Sequence, residues 1–154
     1  MSDEYPFSIT GPEHKGPWLI TCDHAANRVP PEINNGSLGL PADDIGRHIA
    51  YDVGAKGLSL ALGRHLKAPV LCSNFSRLVI DPNRGEDDPT LLMKLYDGSV
   101  IPANRSADAA ETTRRLAAYH RPYHAAYAQL AASDPAIVAI HSFTPQLAGR
   151  PKRP

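Results

Sequence analysis

Cysteine is scarce in this chain, with two in 154 residues, and no apolar run approaches the roughly 20 residues that a membrane-spanning helix needs. Cys22 and Cys72 follow an N-terminus without a signal-like apolar core, so the expectation is a cytoplasmic protein with reduced thiols, not a disulfide framework. An excess of charge is missing as well. Sixteen Lys and Arg balance sixteen Asp and Glu, for a formal net charge of +0 and a pI near 7.1. No bulk field exists to hold nucleic acid or an anionic membrane, and neither is expected as a partner. The sequence also lacks GxSxG, GxGxxG and a P-loop, which leaves serine hydrolase, dinucleotide and nucleoside triphosphate chemistry without support.

What is present is the composition of a folded globular protein: 42% hydrophobic, 21% charged, with a mean hydropathy of -0.31. The length fits one domain, residues 1–154, since domains usually run to about 100–200 residues. Fifteen prolines and eleven glycines divide it into short elements joined by loops of fixed geometry. Residues 1–16 read as an irregular or edge-strand lead-in. Short apolar runs at 17–22, 69–72 and 135–140 predict strands, the last the cleanest buried run of the three. Apolar spacings of three and four from Pro41 to Leu66 predict helix, including Asp44–Val53. Residues 76–80 alternate briefly before a turn-forming Asp81-Pro82-Asn83-Arg84-Gly85 cluster, and 86–105 form a long excursion. Ser106 or Asp108 caps a further helix that kinks at Pro122 and runs to Ser133. Strands alternating with helices predict an α/β fold with a mainly parallel or mixed sheet and flanking helices.

Two of these strands deliver a histidine just past their C-terminal ends, His24 and His141. Parallel strands present those ends on one side, so the two imidazoles converge on one site. A catalytic zinc takes three N or O ligands and keeps a position for water, so a third ligand is required. Asp23, His48, Asp52 and the weaker donor Asn27 are the candidates. His48 and Asp52 lie four apart in the predicted helix, on one face: one a ligand and the other its support, or both a solvated surface pair. Arg77, Asn83 and Arg84 surround Asp81. Arginine forks grip carboxylates bidentately, and the competing reading is an ion pair that ties a strand end to its loop. Arg105 is a further donor candidate for that anion pocket. His120 and His124 are four apart among Tyr119, Tyr123 and Tyr127, without the intervening Glu of HExxH, and read as packing and hydrogen-bonding residues. Cys22 and His24 raise a thiol nucleophile, but Cys22 sits in an apolar run where a buried, inert thiol is the commoner outcome.

The segments Cys22-Asp23-His24-Ala-Ala-Asn27-Arg-Val-Pro30, Tyr51-Asp52-Val-Gly54-Ala55, Ser76-Arg77-Leu-Val-Ile-Asp81-Pro-Asn83-Arg84, Tyr123-His124 and Ala139-Ile-His141-Ser142-Phe-Thr-Pro145 together resemble the N-formylglutamate amidohydrolase family. The resemblance implies a fold similar to the zinc exopeptidases. It also implies a hydrolase dependent on zinc or another divalent metal, cleaving the C–N amide of N-formyl-L-glutamate or a related N-acyl amino acid to formate and the amino acid, as in histidine degradation. Carried onto this chain, it implies His24, Asp52 and His141 as metal ligands and Asn27, Arg77, Asn83 and Arg84 as substrate-binding residues. Family members continue past the His-Ser-Phe-Thr-Pro segment to a further strand, helix and acidic motif, whereas this sequence ends at Pro154. The expectation is therefore an incomplete domain in which Asp23 or Asp52 serves as the proton acceptor; the alternative is a metal- or amino-acid-binding remnant without turnover.

Overall fold

The computed structural model describes residues 5–152. Its centre is a four-stranded sheet in the order β1-β3-β2-β6, built from β1 (Phe7–Thr10), β2 (Trp18–Cys22), β3 (Val70–Ser73) and β6 (Ala136–Ala139). β1 runs antiparallel to β3, while β3, β2 and β6 are mutually parallel, with Cys22 beside Cys72 and Thr21 beside Ala139. The C-terminal ends of β2 and β6 therefore lie together, as the strand-end reading requires.

Helix α1 (Ala55–Leu66) covers one face of the sheet, over Ile20, Cys22, Val70 and Cys72. Its Gly63 makes the close approach possible, since a Cβ there would fall 2.2 Å from Val70 Cγ2. Helix α4 (Arg121–Ala131) packs on the other face through Tyr123 and Ala126 against Leu71. A third cluster, including Ile33, Ile49, Phe75, Leu78, Ile80 and Ile101, sits beneath the loops beyond the sheet. Burying an aliphatic side chain of this kind contributes about 1.5–3 kcal/mol, so these loops carry a core of their own and hold fixed shapes.

Those loops are where the sequence pattern misleads. The stretch 44–53 is not an α-helix: only Asp44–Gly46 forms a 3-10 turn, and α1 starts after Gly54, whose φ of 80° suits glycine. Its backbone groups bond to distant loops instead. The Asp52 amide donates to the His24 carbonyl, and the Ala50 carbonyl accepts from the Arg77 amide and the Ser76 hydroxyl. Residues 76–80 alternate in the sequence, yet nearly all are buried and turn-like. Side chains take up carbonyls that a ladder would have paired: Asn104 Nδ2 donates to Leu78 O, and Arg115 to Val79 O.

The excursion 86–105 holds a hairpin of β4 (Leu95–Tyr96) and β5 (Ser99–Val100), turned by Asp97 and Gly98 at φ 45° and 85°. The short helix α2 (Pro102–Arg105) follows. Helix α3 (Ala109–Arg115) is capped by Asp108, which accepts from the Glu111 amide at 2.8 Å. The expected kink at Pro122 is a π-helical turn over Leu116–His120, with Pro122 in the first turn of α4. Pro122 has no N–H to donate, and the wider turn accommodates that missing bond. The run expected to be the most buried strand, β6, is the sheet's edge, with Ile137 47% exposed. No helix among the described residues is long and apolar enough to cross a membrane.

Candidate metal centre

His24 follows β2 and is buried to 1% exposure. Its Nε2 lies 2.7 Å from Asp81 Oδ1, and the carboxylate fixes the ring's tautomer: Nε2 carries the proton and Nδ1 is left as a lone pair. That Nδ1 is buried and makes no hydrogen bond, 3.5 Å from Asp52 Oδ2. His141 comes up from β6, whose register continues through the Ile140 amide donating to Thr21 O at 2.9 Å. Its Nδ1 is 3.0 Å from the same Asp52 oxygen, its Nε2 is 3.5 Å from Asp23 Oδ2, and the two imidazole centroids are 5.2 Å apart. Asp52 also accepts from the Ser142 amide at 3.2 Å. One ligand atom from each of His24, Asp52 and His141 lies within 4.8 Å of the others.

The electrostatics of the cluster follow from this layout. Burial works to raise the Asp52 carboxyl, but the neighbouring His141 and His24 rings and the Ser142 amide outweigh it and hold the group well below the usual carboxylate range. Asp81 is held low in the same way, burial being overcome by His24 and Arg77. His141 is pushed up to about 10 by its hydrogen bonds to Asp23 and Asp52, against burial. Burial pulls His24 down, and Asp52 and Asp81 more than reverse it. Around the two imidazoles stand three carboxylates (Asp23, Asp52, Asp81) and one guanidinium, Arg77, whose two terminal nitrogens lie 3.0 Å from Asp81 and 3.7 Å from Asp52. With both imidazoles neutral, two negative charges remain, which one divalent cation would balance. The bare, buried His24 Nδ1 and the two-nitrogen, one-oxygen donor set fit such a cation, and each ring's outer nitrogen already has a carboxylate behind it.

A cavity of about 270 Å³ opens beside this cluster. Arg77, Asn83 and Arg84 supply its cationic and amide groups, and Tyr96, Phe143 and Leu147 supply apolar surface. Arg77 pairs with Asp81 and also lines the cavity. The Asn83 amide donates to Asp81 Oδ1, which aims the Pro82–Arg84 loop. Other expected residues lie elsewhere. Asn27 donates its side-chain amide to the Ile45 carbonyl and does not line the cavity. Asp23 stands behind His141, accepting from the Tyr123 hydroxyl at 2.5 Å, and is likewise off the cavity wall. His48 lines the cavity but belongs to Asp97, 3.1 Å from its Oδ2, and not to the donor cluster. Arg105 is exposed on α2. Cys22 is buried against Cys72, and that contact, with burial, pushes its thiol up, which removes it as a nucleophile.

Asp81 as the partner of His24, and Tyr123 as the partner of Asp23, were not anticipated as such. The signal for the first was present in the Asp81-Pro82 turn at the end of an apolar run, the same punctuation that marked His24 and His141.

The chain is similar to the solved structure of the Agrobacterium tumefaciens gene product Atu2144, at 32% identity and a TM-score of 0.91 over 98% of this chain and 61% of that one. It shares a fold with N-formylglutamate amidohydrolase from Ralstonia eutropha JMP134, at 24% identity and a TM-score of 0.58 over 83% of this chain and 51% of that one. The chain thus spans less than two thirds of the length of either. No functionally curated protein matches it significantly. The family profile of N-formylglutamate amidohydrolase matches residues 16–154, a span that takes in the loops bearing His24, Asp52, Asp81 and His141, and the chain belongs to that family.

Proposed function

We propose that this chain contributes the metal and substrate-carboxylate groups for hydrolysing the amide of N-formyl-L-glutamate, or of a related N-acyl amino acid, to formate and the amino acid. The observation that carries the reading is the pair of Nδ1 atoms on His24 and His141 gathered around one oxygen of Asp52, with the His24 atom buried and unpaired. Zinc is the first candidate for that donor set, and it would supply Lewis-acid polarisation of the acyl carbonyl and of an attacking water. Asp81 and Asp23 hold the two imidazoles in the tautomers that present Nδ1. The Arg84 guanidinium lines the cavity without a hydrogen bond or ion pair among the described residues, so it is available to a substrate carboxylate, and Asn83 adds an amide. Arg77, already tied to Asp81, orients more than it binds.

Free thiols at Cys22 and Cys72 support a cytoplasmic site of action, where degradation of histidine would supply a substrate of this kind. Stripping the purified chain with a chelator and restoring zinc tests the reading: deformylation of N-formyl-L-glutamate should fall and return, and His24→Ala should abolish the return. Activity indifferent to both treatments would overturn it.

One observation favours a second reading, in which the chain binds metal and amino acid without turnover. Asp52 is the only carboxylate lining the cavity among the described residues, and its depressed pKa makes it a poor acceptor for a water proton. Under that reading, calorimetry shows zinc-dependent binding of N-formyl-L-glutamate with no formate released.

A further inference from the structure

Helix α4 and the π-turn before it place two imidazoles on one loop. His120 Nε2 lies 2.8 Å from the Arg84 carbonyl oxygen, and His124 Nε2 lies 2.9 Å from the Pro82 carbonyl oxygen. Carbonyls only accept, so both rings carry their proton on Nε2 and donate it. The rings lie 4.3 Å apart, centroid to centroid, so two charged forms side by side would repel. His120 Nδ1 is buried without a partner, as a bare lone pair. Burial, reinforced by the neighbouring His120, also holds the His124 pKa below its ordinary value. The pair is thus set up as two Nε2–H donors to the Arg84 and Pro82 carbonyls. Between the carbonyls they hold sits Asn83, and just beyond it Arg84, the two residues that the loop turns into the cavity.

We propose that His120 and His124 are positioning residues: together they clamp the Pro82–Arg84 backbone and so fix Asn83 and Arg84 for the substrate's carboxylate. The π-turn is part of the device. With Pro122 in the first turn of α4, it sets the phase that turns His120 and His124 toward this loop while Tyr123 faces Asp23 on the sheet. The inference rests on the proposed substrate reading for what Arg84 binds, but the clamp itself rests on geometry alone. Asp81 keeps its own anchors, its amide on the Leu91 carbonyl and its carboxylate on Arg77 and His24. Loosening the loop therefore spares the donor cluster.

The test compares glutamine with asparagine at each position. A glutamine amide nitrogen is as many bonds from Cα as imidazole Nε2 and can reach the carbonyl, whereas the asparagine nitrogen falls one bond short. His120→Asn and His124→Asn should speed hydrogen exchange at the Asn83 and Arg84 amides and weaken calorimetric binding of N-formyl-L-glutamate by about tenfold each, the scale of one lost hydrogen bond. Zinc affinity and amide exchange in β2 and β3 should stay at wild-type values. His120→Gln and His124→Gln should restore both loop protection and binding. Asparagine variants with wild-type exchange at Asn83 and Arg84, or glutamine variants as impaired as the asparagine ones, would overturn the proposal. Absence of N-formyl-L-glutamate binding in the unaltered chain would instead sink the substrate reading, and the exchange comparison would still decide the clamp.

Discussion

His24 and His141 occupy the same chemical arrangement in different physical settings. Each ring lies between two carboxylates and shares Asp52 with the other. His24, however, leaves the inner strand β2, with β3 on one side, β6 on the other and α1 above. His141 leaves β6, which among the described residues pairs with β2 alone, and its ring is partly open to the cavity. The outer carboxylate differs too: Asp81 is fully buried and 2.7 Å from His24, while Asp23 is 3.5 Å from His141. The core fixes one of the two candidate donors, and the second is positioned by a strand end, Asp52 and the Ser142 amide.

The largest effect should therefore come from the His24 side. Asp81→Ala removes the partner of a buried imidazole and of Arg77 together, and breaking a buried pair from one side costs about 3–5 kcal/mol. Zinc affinity should fall by about 10–100-fold with loss of the supporting carboxylate. Asp23→Ala should cost about 1–3 kcal/mol, chiefly from the Tyr123 hydroxyl left without its acceptor. Urea denaturation and zinc titration of both variants measure this, and equal losses would erase the distinction between the two histidines.

The contrast also shows what a sequence can carry. Both histidines were legible because a short apolar run ending in polar residues marks a strand end, whether the strand is inner or edge. The same fact hid the edge position of β6: Ala136–Ala139 is as apolar as any central strand, and nothing local says which side lacks a neighbour. Asp52 joins the cluster from a turn pinned by the His24 carbonyl and not from the expected helix. Asp81 and Tyr123 stayed hidden because their partners lie 57 and 100 residues away in sequence, a distance no periodicity spans.

On the proposed reading, a proton and a metal would compete for His141, which gives a second, pH-resolved effect. Its folded pKa near 10 exceeds the ordinary 6.5, so folding tightens the proton. In the metal-free chain this contribution to stability is fully present below the ordinary value and is lost as pH rises through the folded one. Zinc held through Nδ1 would take that proton's place, so the zinc-loaded chain should show no such loss over the same window, and zinc uptake near neutral pH should release protons. Thermal unfolding at about pH 6 and about pH 10, with zinc and with chelator, separates the two cases. Parallel pH dependence in both would mean that zinc does not occupy the His141 side of the cluster.

The smallest effect is expected at Ile137, and it reports on the edge itself. Ile137 stands in register with Leu19 on β2, yet Leu19 is 0% exposed and Ile137 is 47% exposed. A neighbour in the same sheet thus has quite different surroundings one strand further out. If β6 faces solvent there, Ile137→Lys leaves stability within about 0.5 kcal/mol, as surface substitutions usually do, and adds the charge that edge strands commonly carry against unwanted pairing. A loss of about 2 kcal/mol or more, the scale of an unpaired charge placed among apolar groups, would show that something covers this side of β6. His141 would then be held from both sides, as His24 is.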